Sequence, residues 1–175
     1  INQTFGALDD EMLAMAAQSL LQAQQVHVVG LRKCYPIAYF FHYATRVFFE
    51  NSRLIGMQTG MFAEEISQIA EEDVLLAISF DPYTRETVEA VKSAEAAGAK
   101  TIVVTDNAVS PLISGLGHNF IVANRSPSFY RSLNGALAVV QSLVAAIVKE
   151  IGEPAVEALE RSDKNLRNHN TYWNG

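Results

Sequence analysis

Apolar positions recur along the chain with two different spacings. Over 8–24, Leu8, Met12, Met15, Ala16, Leu20 and Ala23 fall three or four apart, which predicts an amphipathic helix. Val26-His27-Val28-Val29-Gly30 then predicts a short buried strand. A helix is predicted over 36–50, but Tyr39, Phe40, Phe41, Tyr43, Phe48 and Phe49 leave it little polar face. Such a helix belongs in a core or in an oligomer interface. A strand over 53–57 and a helix over 60–70 follow, the helix broken by Glu71-Glu72-Asp73. The continuous apolar run 74–80 predicts a strand covered on both faces, as in a parallel sheet. A helix over 84–97 ends at Gly98, a left-handed cap. Strands over 100–105 and 119–122 flank a short helical turn over 110–114 that begins at Pro111. A long helix over 128–151 and a last one over 153–166 complete the chain.

Alternating strands and helices imply right-handed crossovers and a sheet with helices on both faces. The expected fold is therefore α/β: a three-layer, doubly wound, five-stranded parallel sheet of order 2-1-3-4-5, flavodoxin-like. It forms one domain over 1–175, with an N-terminal helix at about 8–24, a sheet core at about 26–123 and C-terminal helices at about 128–167. In this order the first and third strands flank the switch point, and ligands bind beyond their carboxyl ends. Two loops meet there. One is Gly30-Leu31-Arg32-Lys33-Cys34 and the other is Ser79-Phe80-Asp81-Pro82-Tyr83-Thr84.

Composition narrows the function. Hydrophobic residues make up 49% and charged residues 18%, as in a compact globular chain. A formal charge of −6 disfavours direct nucleic-acid binding, which needs a basic face. The single cysteine excludes an internal disulfide framework and suits a reducing cytoplasm. No signal peptide is visible, and the apolar run 136–148, interrupted by Gln141 and Ser142, is too short to span a membrane. The chain opens on Ile1 rather than Met, so a fragment lacking its N-terminal neighbour is expected.

In the second loop, Asp81 before Pro82 reads as a helix N-cap followed by proline at the first helical position. Ser79 and Thr84 place hydroxyls at the strand end and the helix start, where they can donate to an oxyanion. In the first loop, Arg32 and Lys33 supply charge for a ligand carboxylate or phosphate, or for Asp81 itself. Their proximity also suggests a lowered thiol pKa for Cys34, although a lone cysteine usually just packs. Ser126-Pro127-Ser128-Phe129 reads as the capping segment of the long helix. His27, His42, His118 and His169 lack metal-ligand spacing, and neither glycine-rich nucleotide motif occurs, so no metal and no cofactor are expected.

VHVVGLRKCYPIA, followed by DVLLAISFDPYTRETVEAVKSAEAAGAKTIVVTDNAVSPLISGLGHNFIVA, resembles the sugar isomerase (SIS) domain. It is most similar to the version found at the C-terminus of RpiR-type bacterial transcription regulators. The resemblance covers roughly 8–150 and is strongest at 99–112 and around Ser79. It implies a five-stranded parallel sheet, dimerisation through helices, and a phosphosugar site at the switch point. It also assigns ligand contacts to Gly30, Arg32, Cys34, Ser79, Asp81 and Thr84, and Lys33 joins them from its place in the first loop. The family's third-strand loop is Ser-x-Ser-Gly-x-Thr and its first-strand loop is Gly-x-Gly-x-Ser. Here Asp81 stands for the second Ser, Pro82 for the Gly, Arg32 for the second Gly and Cys34 for the first-loop Ser. Asp81 and Pro82 oppose a phosphate dianion unless Arg32 or Lys33 compensates: at about 4 Å, two like unit charges near a protein surface repel by about 4 kcal/mol.

The reading implied is a ligand-sensing domain without catalytic residues. It would take a carbohydrate-derived effector, form a homodimer or higher homo-oligomer, and reach DNA only through a separate N-terminal helix-turn-helix domain. It would be cytoplasmic, with no membrane partner. The alternatives are a sugar-phosphate aldose–ketose isomerase and a degenerate module that only dimerises.

Overall fold

The structure, a computed structural model, describes residues 9–57 and 60–173. Leu8, the start of the first expected helix, lies outside them. In chain order the elements begin with α1 (Asp10–Gln22), β1 (Val26–Val29), a 3-10 turn (Arg32–Cys34), α2 (Tyr35–Thr45) and β2 (Ser52–Leu54). They continue with α3 (Phe62–Ser67), β3 (Val74–Ile78), α4 (Arg85–Ala97), β4 (Lys100–Thr105), β5 (Gly117–Ile121), α5 (Asn134–Ile151) and α6 (Glu153–Asn168). The five strands are all parallel, in the order β2-β1-β3-β4-β5. This is the doubly wound order expected from the alternation of elements.

Side chains alternate across the sheet. Val28, Leu76, Ile78, Ile102 and Val104 face the core shared with α1, α2 and α5. Val29, Leu75, Ala77 and Val103 face the core shared with α3 and α4. Burial of each such side chain contributes roughly 1.5–3 kcal/mol. The interior strands β3 and β4 are therefore apolar on both faces, and β2, at an edge, keeps only three residues.

Local chemistry sets the helix ends. Asp9 caps α1 by accepting the Glu11 N–H at 2.9 Å. Gly98 ends α4 at φ 78°, in the left-handed region that glycine enters freely. The start of α5 differs from expectation: residues 128–133 are irregular and the helix begins at Asn134. The serines there compete with the helix. Ser126, Ser128 and Ser132 Oγ each accept the N–H two residues on, giving the backbone a local alternative. The expected helical turn over 110–114 is a hydrogen-bonded turn in which the Ile113 N–H donates to the Ser110 carbonyl.

Helix α5 also corrects the estimate of its length. At 18 residues it is long and apolar enough, by length and composition, to cross a membrane. In this fold one face of it, with Val139, Val140, Leu143 and Ile147, is fully buried in the core.

Candidate functional site

At the carboxyl ends of β1 and β3, the two loops and the irregular segment before α5 enclose a cleft of about 670 Å³. Arg32, Lys33, Asp81, Pro82, Thr84, Phe129, Tyr130 and Arg131 line it. Arg32, Lys33, Asp81 and Thr84 thus come together, while Gly30, Cys34 and Ser79 do not line the cleft.

Gly30 is needed for packing. A Cβ there would stand 2.9 Å from Ala38 Cβ and 3.0 Å from the Cys34 carbonyl oxygen, so glycine lets α2 start tight against β1. Arg32 takes φ 54°, a left-handed conformation that costs a non-glycine residue about 1–2 kcal/mol. Lys33 reaches across the crevice and donates from Nζ to the Asp81 main-chain carbonyl at 2.9 Å. The expected lowering of the Cys34 thiol pKa is overturned. Cys34 is only 2% exposed, and burial pushes its thiol up to about 11, with Lys33 offsetting only part of that.

The capping role expected for Asp81 is corrected as well. Helix α4 starts at Arg85 with Thr84 in the cap position, and no side chain caps it. The Asp81-Pro82 peptide is cis. Asp81 is exposed and, among the described residues, its carboxylate makes no ion pair. The buried Ser79 Oγ accepts the Thr84 N–H at 3.3 Å, closing the loop on itself.

Beneath the loops lies a polar network centred on Asp106. Its Oδ1 accepts from the Tyr83 hydroxyl at 3.0 Å, and its Oδ2 accepts from Asn124 Nδ2 at 2.9 Å and from the Asp81 N–H at 3.3 Å. Burial, with Asp106 adding to it, holds the Tyr83 phenol above its usual pKa. Thr105 Oγ1 donates to the Ser79 carbonyl at 3.0 Å and pairs with Ser110 Oγ at 2.8 Å. The Asn124 carbonyl accepts the Ser132 N–H at 2.9 Å, which ties the segment carrying Phe129, Tyr130 and Arg131 to the same hub.

Sequence reasoning had named neither Asp106 nor the Phe129–Arg131 wall as part of the site. Asp-Asn directly after an apolar strand in TIVVTDN was the available signal for Asp106. For the wall the signal is Ser126-Pro127-Ser128-Phe129, which reads as a helix cap because 128–133 looks helical until its serines are seen to bond locally.

The histidines lie elsewhere. His27 Nε2 and Asp73 Oδ2 form a buried 3.0 Å pair near the amino ends of the strands, and His42 Nδ1 pairs with Ser52 Oγ. Among the described residues no group of His, Cys, Asp and Glu is arranged to hold a metal.

The parallel sheet of order β2-β1-β3-β4-β5, with a charged and aromatic cleft at its switch point, defines a doubly wound α/β domain. The model of the SIS domain family matches residues 19–157, and the chain belongs to that family. An uncharacterized HTH-type transcriptional regulator of Caldanaerobacter subterraneus subsp. tengcongensis is 26% identical over 95% of this chain. The chain spans 60% of that relative's length. The sugar isomerase domain of an RpiR transcription factor from Sphaerobacter thermophilus matches with a TM-score of 0.84 and 26% identity, covering 93% of this chain and 91% of that one. The Vibrio vulnificus NanR protein, complexed with ManNAc-6P, matches with a TM-score of 0.82 and 19% identity, over 95% of this chain and 64% of that one. The fold is shared with enzymes too: a phosphoheptose isomerase from Francisella tularensis matches with a TM-score of 0.71 at 18% identity, over 85% and 90% of the two chains.

Proposed function

We propose that this chain is the effector-sensing domain of a bacterial transcription regulator, binding a small anionic carbohydrate derivative in the cleft between the two loops. The carrying observation is the cleft itself, which gathers Arg32, Lys33, Arg131, Asp81 and two aromatic rings at the switch point. Similarity to RpiR-type and HTH-type regulators supports the regulatory role. In this reading the protein acts in the cytoplasm as a homodimer, and a separate helix-turn-helix domain contacts DNA. The ligand shifts the dimer between two arrangements by binding one more tightly.

The isomerase reading is weaker on the same observations. Moving a proton next to a carbonyl needs a base within hydrogen-bond reach of the substrate. His27 and His42 are engaged with Asp73 and Ser52 outside the cleft, and among the described residues Asp81 is the only carboxylate lining it.

The test uses the full-length gene product and its own upstream DNA. Anionic sugars that raise the thermal midpoint should change DNA affinity severalfold in an electrophoretic shift. A ligand that binds and leaves DNA affinity unchanged, or NMR-visible turnover of a sugar phosphate, would overturn the regulatory reading.

A further inference from the structure

The cleft has two chemically different ends. On the side of the third-strand loop two main-chain donors are engaged, the Asp81 N–H with Asp106 and the Thr84 N–H with Ser79, and Pro82 has none, while no side chain caps the first turn of α4. The side chains it offers to a ligand are the exposed Asp81 carboxylate, an acceptor only, and the Thr84 hydroxyl, which can donate or accept. The cations of the other walls are Arg32, Lys33 and Arg131. Lys33 is drawn to the Asp81 carbonyl, whereas neither arginine has an ion-pair or side-chain hydrogen-bond partner among the described residues. A guanidinium offers a planar fork that grips a carboxylate or a phosphate with two parallel bonds. Phe129 and Tyr130 also line the cleft, with ring centroids 4.4 Å apart; Phe129 is 91% exposed and Tyr130 62%. Such rings suit the apolar C–H face of a pyranose.

We infer that the ligand is an anionic sugar bound with its charge on Arg32 and Arg131 and its hydroxyl or amino donors on Asp81, which makes Asp81 a specificity-determining contact. The inference rests on the proposed ligand-sensing role and fixes the ligand's orientation within that site. An anion placed against the Asp81 loop would meet a like charge, whereas the opposite walls offer two guanidiniums without an ion-pair partner among the described residues. A hydroxyl or ammonium placed there finds an acceptor. Turned this way round, the ligand matches the charge at both ends of the cleft.

The sign of one substitution decides the matter. The protein is first screened by thermal shift against D-gluconate, D-glucuronate, D-glucose 6-phosphate and N-acetyl-D-glucosamine 6-phosphate. Titration calorimetry then compares the best binder on wild type, Asp81→Ser and Arg131→Ala. Both variants are expected to bind at least tenfold more weakly while keeping the wild-type thermal midpoint. If Asp81→Ser binds as tightly as wild type or more tightly, the anion sits at the loop and the orientation is overturned, with the ligand-sensing role intact. Loss of binding in Asp81→Ser with none in Arg131→Ala removes the arginine end of the inference. If none of the four compounds binds, the ligand-sensing role falls and takes the orientation with it. Should Arg131→Ala lower the midpoint, Arg131→Gln replaces it and is read in the same way.

Discussion

The floor of the cleft and its outer wall are built on opposite terms. In the floor, nearly every polar group has a partner: Thr105, Ser79, Ser110, Tyr83, Asn124 and Asp106 bond to one another across three loops. The wall formed by Phe129, Tyr130 and Arg131 is open, with local serine bonds and one backbone tie to Asn124 as its support. A satisfied buried network is rigid, because losing one member strands the others. An exposed wall with few bonds changes shape or sequence at little cost to folding. Stability is therefore concentrated in the floor, and the wall is the part free to vary.

Replacing the hub tests that division most severely. Asp106→Ala leaves the buried Asn124 amide, the Tyr83 hydroxyl and the Asp81 N–H without their acceptor, and should cost on the order of 3 kcal/mol in urea denaturation. Asp106→Asn, which keeps an acceptor oxygen, should recover part of it. An unchanged midpoint in Asp106→Ala would mean that the floor is no more rigid than the wall.

Next in size is the pH dependence set by Cys34. Its thiol ionises near its ordinary value when unfolded and at about 11 when folded, so above pH 9 the unfolded chain holds fewer protons than the native one. Stability from this group is complete below pH 9 and is lost as pH rises toward 11, by roughly 2–3 kcal/mol in all. Denaturation midpoints of wild type should fall more steeply than those of Cys34→Ala between pH 8.5 and 10.5. Equal slopes would show that the thiol is not held in the apolar core.

Gly30→Ala should cost roughly 1–3 kcal/mol, since the new methyl meets both Ala38 and the Cys34 carbonyl. Phe129→Ala should be the mildest change, within about 0.5 kcal/mol of wild type, although it removes a ring that lines the cleft. A larger loss of thermal midpoint in Phe129→Ala than in Gly30→Ala would invert the contrast between floor and wall.

The same contrast explains what could be read from the chain alone. The run Val74–Ile78 is apolar on both faces, and the Gly98 cap is a single-residue signal, so strand order and most helices followed from local pattern. The Asp81 cap was misread because Asp-Pro before a helical stretch looks the same whether the helix starts at once or after Thr84. The loop's own bond from Ser79 to Thr84 decides it. Asp106 depends on partners 18, 23 and 25 residues away, and no spacing rule reports such a meeting. Cys34 was judged by its charged neighbour in sequence, whereas its burial in three dimensions governs it.

The left-handed turn at Arg32 has a consequence for how such a site can change over time. The backbone there holds a shape that glycine takes without strain, while an arginine occupies it. Glycine at 32 would keep the turn, relieve its strain and discard the guanidinium. Either residue fits the same scaffold, so the positive charge at the edge of the cleft can be gained or lost by mutation without passing through an unfolded ancestor.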